Sequence, residues 1–183
     1  MRSESAHDWR SRRAADLINH LLEVHHAPTR TMLTKIDRLL ARVLDVVCVR
    51  PPLDSIATIH DALRDDLLAH MTKEEREVFP WIAALDEAQR DGRPAPPSPF
   101  GRFARPVARS VVEHESIRSA FIRLRAATGD LQPPDDACRA MRALYSTFAE
   151  LERDLDEHMR LEHDVLFPRA EELERAVREE TTR

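Results

Sequence analysis

Glycine is scarce in this chain of 183 residues, with only three in all, and aromatic side chains make up only 5%. Together with long stretches of 3.6-residue apolar periodicity, that scarcity argues for an all-α protein, with the 12 prolines confined largely to connections. Cysteine is also rare. Cys48 and Cys138 form no CxxC and read as reduced thiols of a cytosolic protein. No apolar run approaches the length of a membrane span, and Met1 to Trp9 lacks the apolar core of a signal peptide. The expectation is a cytoplasmic protein. A block of one charge is missing too. The formal net charge is −5, with arginines scattered among Asp and Glu, so neither nucleic acid nor an anionic membrane surface is expected as a partner. What remains, 42% apolar and 33% charged, is a globular mixture long enough for one real core.

A two-fold repeat is the main positive signal. His70-Met71-Thr72-Lys73-Glu74 followed by Phe79-Pro80 returns 88 positions later as His158-Met159-Arg160-Leu161-Glu162 followed by Phe167-Pro168. The same offset carries His26 onto His114, Leu63 onto Leu151 and Leu67 onto Leu155. Leu22, His26, Thr29, Leu33 and Ile36 step 4, 3, 4, 3, which keeps them on one stripe of a helix. Leu63, Leu67, His70 and Glu74 step 4, 3, 4, as do Leu151, Leu155, His158 and Glu162. His26, His70, Glu74, His114, His158 and Glu162 therefore lie on inward, apolar stripes. Burying them there is costly unless something pairs with them. The offset also separates two neighbours, because His26 maps onto a histidine whereas His25 maps onto Glu113.

One domain is expected over residues 1–183, with half-repeats of about 8–91 and 104–180 joined by a proline-rich linker, 92–103. Helix one should begin near Asp8 to Ser11 and run toward Val47. Pro28 would impose a kink, or a bulge of the kind often found at functional sites, just after His26. Asp54 or Ser55 can cap helix two, which should bend or stop around Pro80. Helix three should run from about Pro106 to Ala127, ended by Thr128-Gly129-Asp130. Helix four should begin near Asp135. Four such helices favour an up-down-up-down four-helix bundle with an approximate internal two-fold axis.

Four His and two Glu so arranged are the ligand inventory of a two-metal site. Residues i and i+4 share a helix face, so each His-x-x-x-Glu can reach one ion. A carboxylate has two oxygens, so each Glu can span both ions, and each ion then receives two imidazole nitrogens and two oxygens. That donor set suits iron, with an oxide or hydroxide bridge in a remaining position, and admits manganese or zinc as substitutes. His163 reads as a surface residue or one beside the site, and His20 as an ordinary residue of helix one, with donation to a ligand as the lesser alternative. His7, His25 and His60 read as solvated or partly packed, and Tyr145 as core.

At these residues the chain resembles a hemerythrin-like (HHE) domain, and among such domains it is similar to the bacterial di-iron proteins that repair iron centres. His70 through Glu75 to Phe79-Pro80, Glu113-His114, and His158 through Glu162 to Ala170 carry the resemblance, together with Asp8-Trp9-Arg10-Ser11. The resemblance implies two iron ions, with His26, His70, His114 and His158 as ligands and Glu74 and Glu162 as bridges. It further implies repair or protection of iron–sulfur centres and handling of nitric oxide or oxygen under nitrosative or oxidative stress. The alternative it leaves is a sensor or reservoir for those gases without turnover, and whether the protein is an enzyme stays open. Damaged iron–sulfur proteins are the implied partners, with the chain as a monomer or weak homodimer. Longer members carry a small N-terminal domain with paired cysteines, and this chain starts where that domain would end.

Overall fold

The apolar stripes dictate four long helices. The computed structural model describes residues 9–45, 53–94 and 96–181, with side chains as far as residue 176. Helix α1 spans 14–45, α2 spans 53–91, α3 spans Ala104–Thr128 and α4 spans 139–181. The start of α1 (Ala14–His20) packs on the end of α2 (Phe79–Asp91), so these two run antiparallel. Ser116 reaches Asp66 while His70 reaches Glu113, which sets α3 antiparallel to α2. Lys35 faces Glu150 and His25 faces Asp154, which sets α4 antiparallel to α1. The result is an up-down-up-down bundle, in which α1 pairs closely with α4 and α2 with α3. No helix among the described residues is long and apolar enough to cross a membrane.

The ends follow local chemistry. After α2, Gly92 adopts a left-handed conformation (φ 60°); its N–H bonds Gln89 O and that of Arg93 bonds Ala88 O, which satisfies carbonyls the helix leaves open. Gly129 closes α3 in the same region (φ 59°), and Thr128 Oγ1 accepts from the Leu131 N–H. Two starts differ from the sequence expectation. Helix α1 begins at Ala14, after an extended Arg13 and without a side-chain cap, and α4 begins at Arg139, after an extended Cys138. Asp8, Cys48 and the connection 46–52 lie outside the described residues, as does His7.

Three of the four helices loosen into a π turn: Leu21–His26 in α1, Glu74–Val78 in α2 and Glu162–Leu166 in α4. In each, a proline follows two positions after the turn (Pro28, Pro80, Pro168), and the residue before it donates to the carbonyl five back. These bonds are Ala27 to Leu22, Phe79 to Glu74 and Phe167 to Glu162. A proline has no N–H for the carbonyl four residues earlier and crowds it, and widening the turn relieves both problems. Helix α2 therefore runs through Pro80 rather than stopping there. Helix α3 has Ser116 at the position equivalent to Pro28 and is regular throughout.

Two apolar clusters fill the bundle. One holds Leu33, Ile36, Leu63, Leu67, Met71, Phe121, Tyr145, Phe148, Leu155 and Met159. The other holds Trp9, Leu17, Leu21, Val78, Phe79, Trp81, Phe103, Leu166 and Phe167. The proline-rich connection is pinned to the second cluster, where Phe103 stacks on Trp81 with ring centroids 5.1 Å apart. Between the clusters lies a layer of buried polar side chains.

Candidate metal centre

That layer consists of the six residues the repeat selected, all buried. Their donor atoms form two overlapping quartets, His26–Glu74–His158–Glu162 and His70–Glu74–His114–Glu162. Within each, the atoms lie within 4.8 Å of one another, and each could hold a metal ion. The π turns begin at the two glutamates themselves, so each His-x-x-x-Glu sits where an α-helix gives way to a wider turn. Glu74 Oε2 lies 3.2 Å from His70 Nε2 and 3.6 Å from His26 Nε2, so it reaches toward both quartets. Glu162 does the same, with Oε1 3.0 Å from His158 Nε2 and Oε2 3.3 Å from His114 Nε2.

The chemistry of the layer fits cations. Both Glu74 oxygens and Glu162 Oε2 are buried without a hydrogen-bond partner. The imidazoles meet through their Nε2 atoms, 3.3 Å apart for His26 and His158 and 3.1 Å for His70 and His114. At that distance each pair of nitrogens needs a proton or a metal ion between its lone pairs. Imidazole with carboxylate is a set that iron, manganese and zinc accept.

Around it, a shell of partners fixes which nitrogen faces inward. The Nδ1–H of His26 donates to Glu75 Oε1 at 2.8 Å, and Arg30 holds the same carboxylate at 2.8 and 3.1 Å. The Nδ1–H of His70 donates to Glu113 Oε2 at 2.9 Å; Lys73 binds the same oxygen and Arg109 binds Oε1. His114 Nδ1 lies 2.7 Å from His163 Nε2. Sequence reasoning missed Glu75 and Glu113, although a signal existed: both are chain neighbours of an inward donor. The 88-residue offset maps Glu75 onto His163 and Glu113 onto His25, so the shell is chemically unlike in the two halves.

Burial dominates the protonation behaviour. It pulls His26 down to about 4, with His158 adding to the effect and Glu75 opposing it. It pushes the Glu74 carboxyl well above the usual range, and the adjacent Glu162 pushes further. Burial works the same way on Glu162, but His158 and His114 outweigh it and hold that carboxyl well below its usual range. His158 is raised in turn by Glu162, against its own burial. Two carboxyls this close and this dry cannot both ionise without cations, so one keeps a proton.

The remaining histidines differ in part from expectation. His25 and His60 are buried rather than solvated: His25 bonds Asp154 at 3.0 Å and stacks on His158, and His60 bonds Asp37 at 2.7 Å in the first cluster. His20 packs between Trp9 and His25, whose ring in turn stacks on that of His158. Tyr145 is core.

The sequence matches the hemerythrin HHE cation binding domain family over residues 17–98 and 105–183. It is 33% identical over 168 residues to the iron-sulfur cluster repair protein YtfE of Dickeya chrysanthemi (strain Ech1591), covering 89% of this chain and 68% of that one. To the iron-sulfur cluster repair protein DnrN of Neisseria gonorrhoeae it is 32% identical over 161 residues, covering 88% of this chain and 94% of the relative. YtfE of Escherichia coli O157:H7 is 30% identical, with 89% of this chain and 69% of the relative aligned. A helical bundle with a buried layer of histidine and glutamate, matched along both halves, makes this chain a member of the hemerythrin HHE cation-binding family.

Proposed function

We propose that the polar layer holds two iron ions, one between His26 and His158 and one between His70 and His114, with Glu74 and Glu162 spanning both. We infer that the protein serves in repair or protection of iron–sulfur centres, as the names of YtfE and DnrN, iron-sulfur cluster repair proteins, suggest, and that it does so in the cytoplasm under nitrosative or oxidative stress. One observation carries the reading: Glu74, fully buried with no hydrogen-bond partner for either oxygen, lies inside both quartets. Nothing apolar is gained by placing a carboxylate there, and two cations account for it.

Iron held by these residues would supply redox chemistry toward nitric oxide or oxygen, and iron is also the cargo that a damaged cluster lacks. The chain's own groups set the terms. Glu75, Glu113 and His163 hold three of the four imidazoles with Nε2 inward. Before metal binds, Glu74 is the member of the pair that favours its neutral form and Glu162 the one that favours its charge, so loading the layer would release a proton from Glu74. The two apolar clusters keep bulk water from the layer on either side.

The test is transfer. Anaerobic, iron-loaded protein is mixed with a [4Fe–4S] dehydratase damaged by nitric oxide. Recovery of dehydratase activity with matching loss of iron from this chain is expected. No recovery from protein carrying two irons, with reversible gas binding instead, would replace repair by a reservoir role.

A further inference from the structure

The two ion positions are alike in their donors but not in what stands behind the donors. An imidazole that binds a cation through Nε2 carries its proton on Nδ1, and that N–H needs an acceptor once it is buried. Three of the four imidazoles have a partner: Glu75 for His26, Glu113 for His70 and His163 for His114. His158 has none. The residue is 1% exposed, and among the described residues its Nδ1 meets no hydrogen-bond partner.

The repeat shows what replaced the missing acceptor. Glu113 precedes His114 on α3 and reaches across to His70 on α2. Its counterpart 88 positions earlier is His25, which precedes His26 on α1 and reaches across to α4. There it bonds Asp154 at 3.0 Å and stacks on the His158 ring, with centroids 5.7 Å apart, but accepts nothing from Nδ1. Asp154 lies one turn before His158 and is committed elsewhere, Oδ1 to His25 and Oδ2 to the Thr29 hydroxyl at 3.4 Å. The ion position between His70 and His114 thus has both imidazoles backed, one of them by a carboxylate that Lys73 and Arg109 hold in turn. The position between His26 and His158 has one imidazole backed, by Glu75.

We propose, resting on the two-iron reading of the layer, that the ions are held unequally: the one between His26 and His158 is the weaker and is the iron given up. Loss of a partner behind a metal-binding imidazole weakens the metal about 10- to 100-fold, which sets the expected ratio of the two dissociation constants. Access acts the other way. His70, Lys73 and Glu113 line a notch of about 290 Å³ between α2 and α3, on the side of the tighter ion. Equilibrium affinity, rather than the rate of loss, is therefore the quantity that reports the unequal partners.

Anaerobic two-iron protein, brought to equilibrium with rising ferrous chelator, tests this. Retained iron should fall in two steps about 10- to 100-fold apart. Crystals prepared at one ion per chain should show anomalous scattering at the iron edge between His70 and His114. His163→Ala removes a partner of the tighter ion and should bring the two constants together. Glu75→Ala removes the remaining partner of the weaker ion and should widen the gap about 10- to 100-fold. Sites of equal intrinsic strength would be driven apart by either variant, so the opposite signs belong to unequal partners and not to repulsion between the ions. His163 is partly exposed, and its variant should fold. A remaining ion between His26 and His158, both ions leaving in one step, or a gap that widens in His163→Ala would overturn the proposal and leave the two-iron reading standing. A wild-type chain that never holds two ions would overturn both.

Discussion

Replacing Glu74 by leucine should act in opposite directions on the metal-free and the metal-loaded protein. In the metal-free protein the Glu74 carboxyl is fully buried and pushed toward its neutral form; Oε1 is unsatisfied, and Oε2 faces His70 Nε2 at 3.2 Å. An unsatisfied buried polar group costs about 1–3 kcal/mol, and a leucine of similar volume removes that cost. For a chain of 183 residues, with about 2–4 °C per kcal/mol, the variant should melt roughly 2–12 °C higher than wild type when both are metal-free. Loading reverses the order. Metal at about a hundredfold excess over its dissociation constant adds about 2.7 kcal/mol per site. Wild type gains this at both sites and the variant loses at least one of them. Differential scanning calorimetry with and without chelator reads all four states. If the variant melts lower than wild type in chelator as well, Glu74 supports the fold by its own contacts and the metal argument built on it fails.

Three further outcomes are expected. Glu75→Ala removes the acceptor that orients His26 and should weaken metal binding about 10- to 100-fold in chelator competition, with the helical content unchanged. Leu63→Ala, in the first apolar cluster, should cost about 2–5 kcal/mol in urea unfolding without changing metal stoichiometry. The metal-free protein should also weaken in acid. The unfolded chain protonates His26 near 6.5 and the folded chain only at about 4, so the unfolded state binds more protons between those values. Stability is lost as pH falls through that window, on the order of 3 kcal/mol from His26 alone. Glu74, raised in the fold, acts with the opposite sign, because the folded chain keeps a proton that the unfolded chain sheds as pH rises. Urea titrations across the same pH range should therefore show a steeper acid loss in Glu74→Leu than in wild type, and equal slopes would contradict the assignment.

Much of this was legible because duplication leaves a numerical trace. The 88-residue offset singled out His26 over His25 and placed the six buried residues together, and the same offset relates the π turns Glu74–Val78 and Glu162–Leu166. Pro28, Pro80 and Pro168 signalled a disturbance of the helix. At Pro28 a kink or a bulge was expected and the turn widens; at Pro80, where a bend or a stop was expected, the pattern alone did not say that the chain would widen, since that depends on tertiary packing on both sides of the turn. The burial of His25 and His60 was not legible either. Each is paid for by an aspartate from another helix, Asp154 and Asp37, and a stripe on one helix says nothing about a partner 129 or 23 residues away. The start of α4 and that of the continuous part of α1 were misplaced for a related reason. Ser11 and Asp135 are good capping residues, yet Arg13 and Cys138 precede these helices without a side-chain cap, so packing sets the boundary there rather than local propensity.

Elemental analysis of protein freshly isolated from iron-replete cells bears most directly on the central claim. Two irons per chain in wild type, falling to one or none in Glu74→Leu, is the predicted result. A wild-type chain that emerges folded but without iron, or a Glu74→Leu variant that keeps both ions, would contradict it.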